Sequence, residues 1–367
     1  MFRHDVRRWG FAPGSRVGPV VEEVWRRASW NTTAYGAVKG SPALVGGVLY
    51  CGTDSGWFLA VRADDGRILW QVHLDRTTHG IHGSPAVVGD AVYIGAYDGT
   101  MYAFDRATGR TLWTHQLGFQ IGSSPAVVPA WGMLFSANEE ADGHGDVLAL
   151  EASSGRELWR HRTEAHPHAS VAVDVERGLI FAGDNRGVVH ALDARSGKER
   201  WERRLVADGG KVDVKTTPSV LPALGLLVFG AWSGKIYALD EDSGHTVWEH
   251  ETGGKLMGST AYAPGSGTLF VGSPDGQLHA LDARTGASRW VMGVNARIDS
   301  SPAVSGDERV VVFGAGNGWL YAVDAATGAE LWGLFVGGRV TGSPSLVADR
   351  IYVTCQRGGL VALLTHS

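Results

Sequence analysis

The sequence predicts an all-β fold, an eight-bladed β-propeller of four-stranded blades. Composition is the first observation, because 52 glycines and 14 tryptophans in 367 residues indicate many short strands joined by tight turns. The second is a unit of 42 to 47 residues that recurs eight times, each with four short apolar runs separated by turn residues. The third is that the two chain ends each supply part of one unit, so the ring can close.

Eight tryptophans mark the ends of the units: Trp25, Trp70, Trp113, Trp159, Trp201, Trp248, Trp290 and Trp332. The segment GSPAVVGDAVYIGAYDGTMYAFDRATGRTLW, residues 83–113, represents one blade, and similar segments occupy 169–201, 258–290 and 300–332. An alanine, a glycine and the tryptophan keep one spacing in seven units, as in Ala103, Gly109 and Trp113. Glycine suits a turn with positive φ, and the preceding Asp105 can accept hydrogen bonds from the turn backbone. We expect the tryptophans to pack between blades.

The chain ends predict how the ring closes. The last residues, GGLVALLTHS, supply a third strand for the eighth blade but no fourth. VVEEVWRRASW, residues 20–30, supplies the missing strand and removes an exposed sheet edge. The predicted organisation is a single propeller domain over 1–367, with an N-terminal arm at 1–19, the closing strand of blade 8 at 20–30, and blades 1 to 8 over 38–367.

The unit A-x-D-x-x-T-G-x-x-x-W resembles the repeat of the pyrroloquinoline-quinone (PQQ)-type propellers, over nearly the whole chain. The resemblance implies the fold but not the function, because that family includes quinoprotein alcohol dehydrogenases, the outer-membrane assembly lipoprotein BamB and sensor domains. Quinoprotein dehydrogenases carry adjacent cysteines over the quinone, whereas Cys51 and Cys355 are far apart in this sequence. We therefore expect no cofactor and no PQQ dehydrogenase activity.

Charge and composition narrow the possible partners. A formal net charge of −5 and a pI near 6.3 argue against nucleic-acid binding. The start, MFRHDVRRWGF, lacks an apolar core, and no apolar run approaches the roughly 18 residues that a bilayer requires. Two cysteines fit a reducing compartment. We expect a cytoplasmic protein without membrane contact, which argues against the lipoprotein role.

The segments that enter the innermost strands align without gaps and predict a site at one mouth of the channel. In these segments one row of apolar residues lies between two rows of polar residues. Because side chains alternate along a strand, the polar rows face the opposite way from the apolar row, toward the channel. The inner row is Lys39, His82, Gly122, His168, Lys215, Met257, Asp299 and Thr341. The outer row is Ala37, Gly80, Gln120, His166, Asp213, Lys255, Arg297 and Arg339.

The two rows predict an anion-binding funnel. Five lysines and arginines face two aspartates, a formal excess of three positive charges in a protein that is negative as a whole. A local reversal of charge in a concavity concentrates field on an anion, so we expect a carboxylate- or phosphate-bearing ligand. Longer inter-blade loops would add ligand-binding side chains over the same mouth: Trp30, Tyr35, His79 and Lys211.

The residue types favour acid/base chemistry of a lyase, isomerase or cyclase type. His82, His166 and His168 can move protons near neutral pH. Asp213 could orient one ring, and Lys39 or Lys215 could act as a base or form an imine. The ligand would be held by Lys255, Arg297, Asp299 and Arg339.

Two alternatives remain open. The protein could be a non-catalytic scaffold or sensor that binds a protein partner, with the acidic segment NEEADGHGD at 138–146 and Trp232 on its surface. A metal site is the other alternative, since His-x-His places two nitrogens on one strand face and His82 or Asp213 could complete the set. The neighbouring cationic side chains argue against a bound metal ion, so we expect none at the mouth.

Overall fold

Eight antiparallel sheets of four strands form the blades of the computed structural model, which describes residues 5–28, 40–74, 80–206, 212–356 and 359–366. The predicted eight-bladed, all-β propeller is confirmed. In seven blades the four strands follow the sequence outward from the channel, and the last blade takes its outermost strand from the start of the chain. One sheet gains a fifth, two-residue strand, β1 (Phe11–Ala12), from the start of the chain.

The first four blades contain sixteen consecutive strands. In chain order they are β3 (Ala43–Val45), β4 (Val48–Gly52), β5 (Trp57–Arg62), β6 (Ile68–His73), β7 (Ala86–Val88), β8 (Ala91–Gly95), β9 (Thr100–Asp105), β10 (Thr111–Gln116), β11 (Ala126–Val128), β12 (Met133–Glu139), β13 (Gly145–Glu151), β14 (Glu157–Thr163), β15 (Ala172–Asp174), β16 (Leu179–Gly183), β17 (Val188–Asp193) and β18 (Glu199–Arg204).

Blades 5 to 8 follow the same plan, with one strand taken from the other end of the chain. Their strands are β19 (Ser219–Leu221), β20 (Leu226–Gly230), β21 (Lys235–Asp240), β22 (Thr246–Glu251), β23 (Ala261–Ala263), β24 (Thr268–Gly272), β25 (Gln277–Asp282), β26 (Ser288–Gly293), β27 (Ala303–Ser305), β28 (Val310–Gly314), β29 (Trp319–Asp324), β30 (Glu330–Phe335), β31 (Ser345–Val347), β32 (Arg350–Cys355), β33 (Gly359–His366) and β2 (Val20–Arg27). Short 3-10 turns at Pro129–Trp131 and Pro222–Leu224 join the first two strands of blades 3 and 5.

Burial along the strands follows their place in the blade. Second strands such as β16, LIFAG, are buried along their whole length because both faces pack against neighbouring blades. Outermost strands alternate, as in β10, TLWTHQ, where the alternate residues turn toward a neighbouring blade or toward solvent. The core is therefore a series of apolar layers between blades rather than one central cluster.

Closure of the ring occurs as expected. Strand β2 pairs antiparallel with β33, from Val20 opposite His366 to Arg27 opposite Leu360. The last blade thus takes its outermost strand from the N-terminal region, and the sheet order is β2-β33-β32-β31.

The repeat tryptophans join each blade to the next. The indole nitrogen of each one donates a hydrogen bond of 2.8 to 3.1 Å to a backbone carbonyl of the following blade, or of the N-terminal arm for the last. The repeat glycine lies against the indole of the preceding blade: a Cβ built on Gly197 would lie 2.5 Å from a ring carbon of Trp159. The predicted packing of the tryptophans between blades is confirmed.

The apolar row before the inner strands packs between blades as predicted. A Cβ built on Gly52 would lie 2.3 Å from Ile81 of the next blade, and Gly314 has the same relation to Val340. Because these side chains fill the inter-blade layer, the two flanking rows are turned toward the mouth.

The N-terminal arm crosses the opposite end of the channel. Its carbonyls accept hydrogen bonds from the inner strands of successive blades: Val173 to Val6, Val220 to Arg7, Tyr262 to Trp9 and Val304 to Gly10, at 2.8 to 3.0 Å. Strand β1 then pairs parallel with β27. The fully buried guanidinium of Arg8 bonds the carbonyls of Val171, Ser124 and Pro125.

In the described part of the chain, no helix has the length and apolar character needed to cross a membrane.

Candidate functional site

The inner row lines one cavity at the mouth of the channel. All of its described members contribute to a space of about 320 Å³: His82, Gly122, His168, Lys215, Met257, Asp299 and Thr341. The predicted convergence of residues from different blades is therefore observed. The outer-row residues are not part of the cavity lining, and they lie beside it.

A ring of hydroxyl groups forms the floor of the cavity. At the start of seven of the eight inner strands, a backbone N–H donates to the side-chain oxygen of the equivalent residue in the next blade, as in Ser41 to Ser84. Seven such bonds, of 2.8 to 3.2 Å, are present among the described residues. The ring consists of Ser41, Ser84, Ser124, Ser170, Thr217, Ser259, Ser301 and Ser343. It separates this cavity from a second one of about 270 Å³ that extends toward Gly10 of the arm.

A third row, which sequence analysis missed, borders the mouth. It comes from the hairpins between second and third strands and includes Asp54, Tyr97, Glu139, Asn185 and Trp232. Backbone N–H groups of this row bond carbonyls of the outer row, as in Trp232 to Asp213 at 2.9 Å. A sequence signal was present, since Asp54, Tyr97 and Trp232 each stand two residues after the glycine that ends the second strand.

The paired histidines of blade 4 contact one buried carboxylate. His168 donates from Nδ1 to Glu139 Oε1 at 2.5 Å, and His166 Nδ1 lies 3.4 Å from Glu139 Oε2. His166 Nε2 lies 2.9 Å from the Glu140 carbonyl. Pro167 packs behind both rings against Gly145, as its apolar position predicts.

Glu139 therefore has the orienting role that sequence analysis assigns to Asp213. Glu139 belongs to the acidic segment 138–146, which sequence analysis places on the surface. Strands β12 and β13 extend so far that only 140–144 connect them, and the Glu139 residue is 8% exposed. Burial alone would raise its pKa, but the hydrogen bond from His168 and the charges of His168, His166 and Lys215 lower the pKa. Glu139 is an ionised acceptor at neutral pH.

His82 lies on the same side of the mouth. Its Nε2 is 3.5 Å from Asp54 Oδ1, and its ring lies 4.0 Å from that of Tyr97, centre to centre. Burial, together with the charges of Glu139 and Asp54, raises the pKa of Tyr97. Its phenol thus stays protonated and can donate a hydrogen bond.

Cations gather on the other half of the mouth, in blades 5 to 8. The ammonium groups of Lys215 and Lys255 lie 4.2 and 5.0 Å from the centre of the Trp232 ring. Lys215 is also 4.0 Å from Asp213, its ionic partner. In blades 7 and 8, guanidinium nitrogens of Arg297 and Arg339 lie 3.1 and 2.5 Å from the carboxylate oxygens of Asp299.

The third row changes the predicted charge of the mouth. Asp54 and Glu139 add two carboxylates on the side of blades 1 to 4, which offset part of the predicted positive excess and divide the mouth into two halves of different charge. Blades 5 to 8 carry four cations and two aspartates. The described part of blades 1 to 4 carries the two carboxylates and three histidines.

Several predicted site residues lie outside the described residues: Lys39 of the inner row and the loop residues Trp30, Tyr35, His79 and Lys211.

The cysteines do not fit the quinone site that the resemblance implies for the dehydrogenases. Cys51 lies in β4 and Cys355 in β32, both buried, and neither lines the cavity. Burial raises the pKa of Cys51 to about 12. These two residues cannot form a pair of adjacent cysteines over the mouth, so no step is assigned to a quinone.

Solved structures with the same architecture include an alcohol dehydrogenase, BamB and a designed protein. Quinohemoprotein alcohol dehydrogenase from Comamonas testosteroni superposes with a TM-score of 0.83 at 15% identity, covering 100% of this chain and 80% of that chain. BamB from Moraxella catarrhalis gives 0.76 at 19% identity, covering 94% and 100%. The computationally designed protein Ika8 gives 0.72 at 18% identity, covering 94% and 99%. These identities show a shared fold alone.

The sequence itself also matches a family model. The model described as "Outer membrane protein assembly factor BamB" matches residues 21–143, 143–228 and 232–367. No curated protein matches the chain by sequence. Since the model covers nearly all of the repeats, the chain belongs to the PQQ-like repeat propeller family that this model describes.

Proposed function

We propose that the protein binds a small carboxylate- or phosphate-bearing molecule at the channel mouth and catalyses an acid/base reaction on it, of a lyase, isomerase or cyclase type. The observation that carries the proposal is the 2.5 Å hydrogen bond between His168 and the buried Glu139. The same His168 lines the cavity. A histidine oriented by a buried carboxylate is a suitable proton acceptor at neutral pH.

The anionic group would bind in the half formed by blades 5 to 8. Four cations accompany only two aspartates there, which leaves two positive charges for a ligand. The indole of Trp232 lies close to both lysine ammonium groups and stabilises them as a pair. Lys215 lines the cavity, so an anion bound there would contact it directly. Arg297 and Arg339 share one carboxylate and retain N–H donors for a second anion.

Proton transfer would take place in the half formed by blades 1 to 4. Because Nδ1 of His168 is directed at the ionised Glu139, its proton resides there and Nε2 is the basic nitrogen. The protonated phenol of Tyr97 can donate to an oxygen on which negative charge develops. The ligand would thus carry an anionic group at one end and an acidic C–H or hydroxyl at the other.

Deuterium exchange tests proton transfer without knowledge of the natural substrate. The protein is incubated in D2O with malate, citrate, phosphate or pyrophosphate, and binding is measured by calorimetry. For the carboxylates, exchange of the C–H next to the carboxylate is followed by NMR. We expect one of the carboxylates to bind and exchange, and His168→Gln to slow exchange by about 10²- to 10⁴-fold with binding retained.

Matched lysine variants test the anion site. Lys215→Met and Lys255→Met should each weaken binding about tenfold or more. Lys235→Met, which removes a cation paired with Glu249 on an outer strand, should not. Failure of every probe to bind, or equal loss in all three variants, would overturn the anion site. Binding with unchanged exchange in His168→Gln would overturn the catalytic role.

A protein-binding role is the second candidate. Apolar side chains are exposed at the ends of third and fourth strands and in one loop: Trp57, Trp319, Phe335 and Phe119. Trp319 and Phe335 lie 6.1 Å apart, centre to centre, in blade 7. Association through this surface would be unaffected by His168→Gln, whereas the acid/base reaction would be lost.

A further inference from the structure

A group of metal-ligating side chains lies outside the mouth, between blades 3 and 4. Glu199 of β18 places Oε2 3.1 Å from Nδ1 of His190 on β17 and 3.5 Å from Nε2 of His161 on β14. The three ligand atoms lie within 4.8 Å of one another. This group is separate from the His166–His168 pair that sequence analysis considered for a metal.

The position of the two histidines is a repeated packing site. One partner is the residue two positions after a repeat tryptophan, as His161 follows Trp159. The other is the residue just before the repeat alanine of the next blade, as His190 precedes Ala191. Blades 1 and 2 join Val72 and Tyr102 in one apolar cluster there, and blades 6 and 7 join Met292 and Tyr321. Apolar and aromatic pairs thus suffice for packing, and the rings of His161 and His190, 5.5 Å apart, depart from that pattern.

We propose that His161 Nε2, His190 Nδ1 and one oxygen of Glu199 bind a divalent transition-metal ion, with Zn²⁺ the best match. Zinc–ligand bonds of about 2.0–2.1 Å in a tetrahedral site separate neighbouring ligand atoms by roughly 3.3 Å. The distances of 3.1 and 3.5 Å bracket that value. Two imidazoles and one carboxylate with a water are a common zinc ligand set, and Glu199, 34% exposed, leaves room for the water.

A buried carboxylate supports the orientation of His190. Oδ2 of Asp184 lies 3.9 Å from Nε2 of His190. Neither of these buried atoms has a hydrogen-bond partner within the described chain. With a metal on Nδ1 the proton of His190 resides on Nε2, where a small ring shift joins it to Asp184. Metal-bound histidines usually donate their second N–H to such an acceptor.

The surroundings favour a cation. Besides Glu199, the fully buried carboxylate of Asp184 lies beside the His190 ring. Two carboxylates around two neighbouring imidazoles give the site negative charge, which attracts a metal ion.

The chain contains a matched control. His250 and His279 occupy the same two positions between blades 5 and 6, with ring centres 5.7 Å apart. Ser288 stands there at the position equivalent to Glu199, two residues before the repeat tryptophan. The control pair therefore has both rings but lacks the third ligand.

The test is calorimetric titration of the chelator-treated full chain with ZnCl2, together with the visible absorption of bound Co²⁺. We expect one site per chain and a tetrahedral Co²⁺ spectrum. Glu199→Gln and His161→Gln should each weaken binding about 10- to 100-fold, and Asp184→Asn about tenfold. His250→Gln should leave affinity and spectrum unchanged.

Substitutions at the partly exposed Glu199 and His161 avoid replacing the buried His190, and melting curves confirm that each variant is folded. Absence of stoichiometric binding would overturn the proposal. So would an equal loss of affinity in His161→Gln and His250→Gln, because binding would then be adventitious histidine binding.

Discussion

Two buried glutamates show how neighbours set ionisation in this protein. Glu139 lies beside two histidines, and their contacts keep its pKa below the ordinary value despite burial. Glu241 is fully buried between blades 4 and 5, where burial and the nearby Asp174 raise its pKa to about 8, although Arg177 acts in the other direction. Glu139 is thus ionised at neutral pH, whereas Glu241 is largely protonated.

The raised pKa of Glu241 predicts a pH-dependent stability. Between its ordinary value of 4.5 and about 8, the folded chain holds a proton that the unfolded chain has lost. The free energy of unfolding therefore falls as pH rises through this range, by up to about 1.4 kcal/mol per pH unit. Glu241→Gln, which cannot ionise, should match the native chain near pH 5 and be more stable near pH 8, as measured by urea unfolding.

Glu249→Gln serves as the control in the same blade, because Glu249 is an exposed partner of Lys235. It should parallel the native pH profile. A constant difference between Glu241→Gln and the native chain from pH 5 to pH 8 would contradict the protonated state assigned to Glu241.

The joint between blades is the recurring element of the fold. A glycine with positive φ turns the chain between the third and fourth strands, and the tryptophan of the preceding blade lies against it. Two constraints therefore meet at one residue, one from the backbone and one from the neighbouring sheet. Local sequence could supply the first, but the second arises only when blades assemble.

A matched pair of glycines in blade 4 separates these constraints. Gly197 has φ +68° and a built Cβ 2.5 Å from Trp159, whereas Gly178 has φ +67° and open space around the same atom. Both alanine variants incur the backbone strain of about 1–2 kcal/mol. Gly197→Ala should lose about 1–3 kcal/mol more, since the indole must also move. Chemical unfolding measures both, and equal losses would show that the inter-blade contact adds nothing.

At the scale of the whole molecule, the two ends of the channel differ. One end opens at the mouth with its charged rows, and the other is crossed by the arm, whose carbonyls bond the inner strands of blades 4 to 7. The hydroxyl ring divides the space between them. Of the two ends, the arm end is therefore the one that the described chain crosses.

Deletion of residues 1–12 should destabilise the propeller without opening the ring, because β2 and its pairing with β33 remain. Loss of the four backbone hydrogen bonds to the inner strands alone predicts about 2–6 kcal/mol. Loss of the β1–β27 pairing and of the hydrogen bonds made by the buried Arg8 adds to this destabilisation. Amide exchange measured by mass spectrometry should accelerate at Val173, Val220, Tyr262 and Val304, whose acceptors are removed. Second-strand amides of the same blades provide the reference, and equal protection of the inner strands in both proteins would contradict this role of the arm.

The sequence by itself determined the number of blades, the closing strand and the inner row of residues that lines the cavity. These features follow from a repeat period and from alternation along single strands, both of which are local. The inner row demonstrates this, since each described member lines the cavity.

Only the tertiary structure decided the partners of those residues. Glu139 is contributed by blade 3 and holds histidines of blade 4, and Asp54 of blade 1 lies beside His82 of blade 2. The Glu199 of blade 4 likewise meets His161 of blade 3. Such contacts cross from one blade to the next, so they depend on how the sheets pack rather than on spacing within a repeat. Because charges interact through space, the electrostatic character of the mouth became apparent only when neighbouring blades were in place.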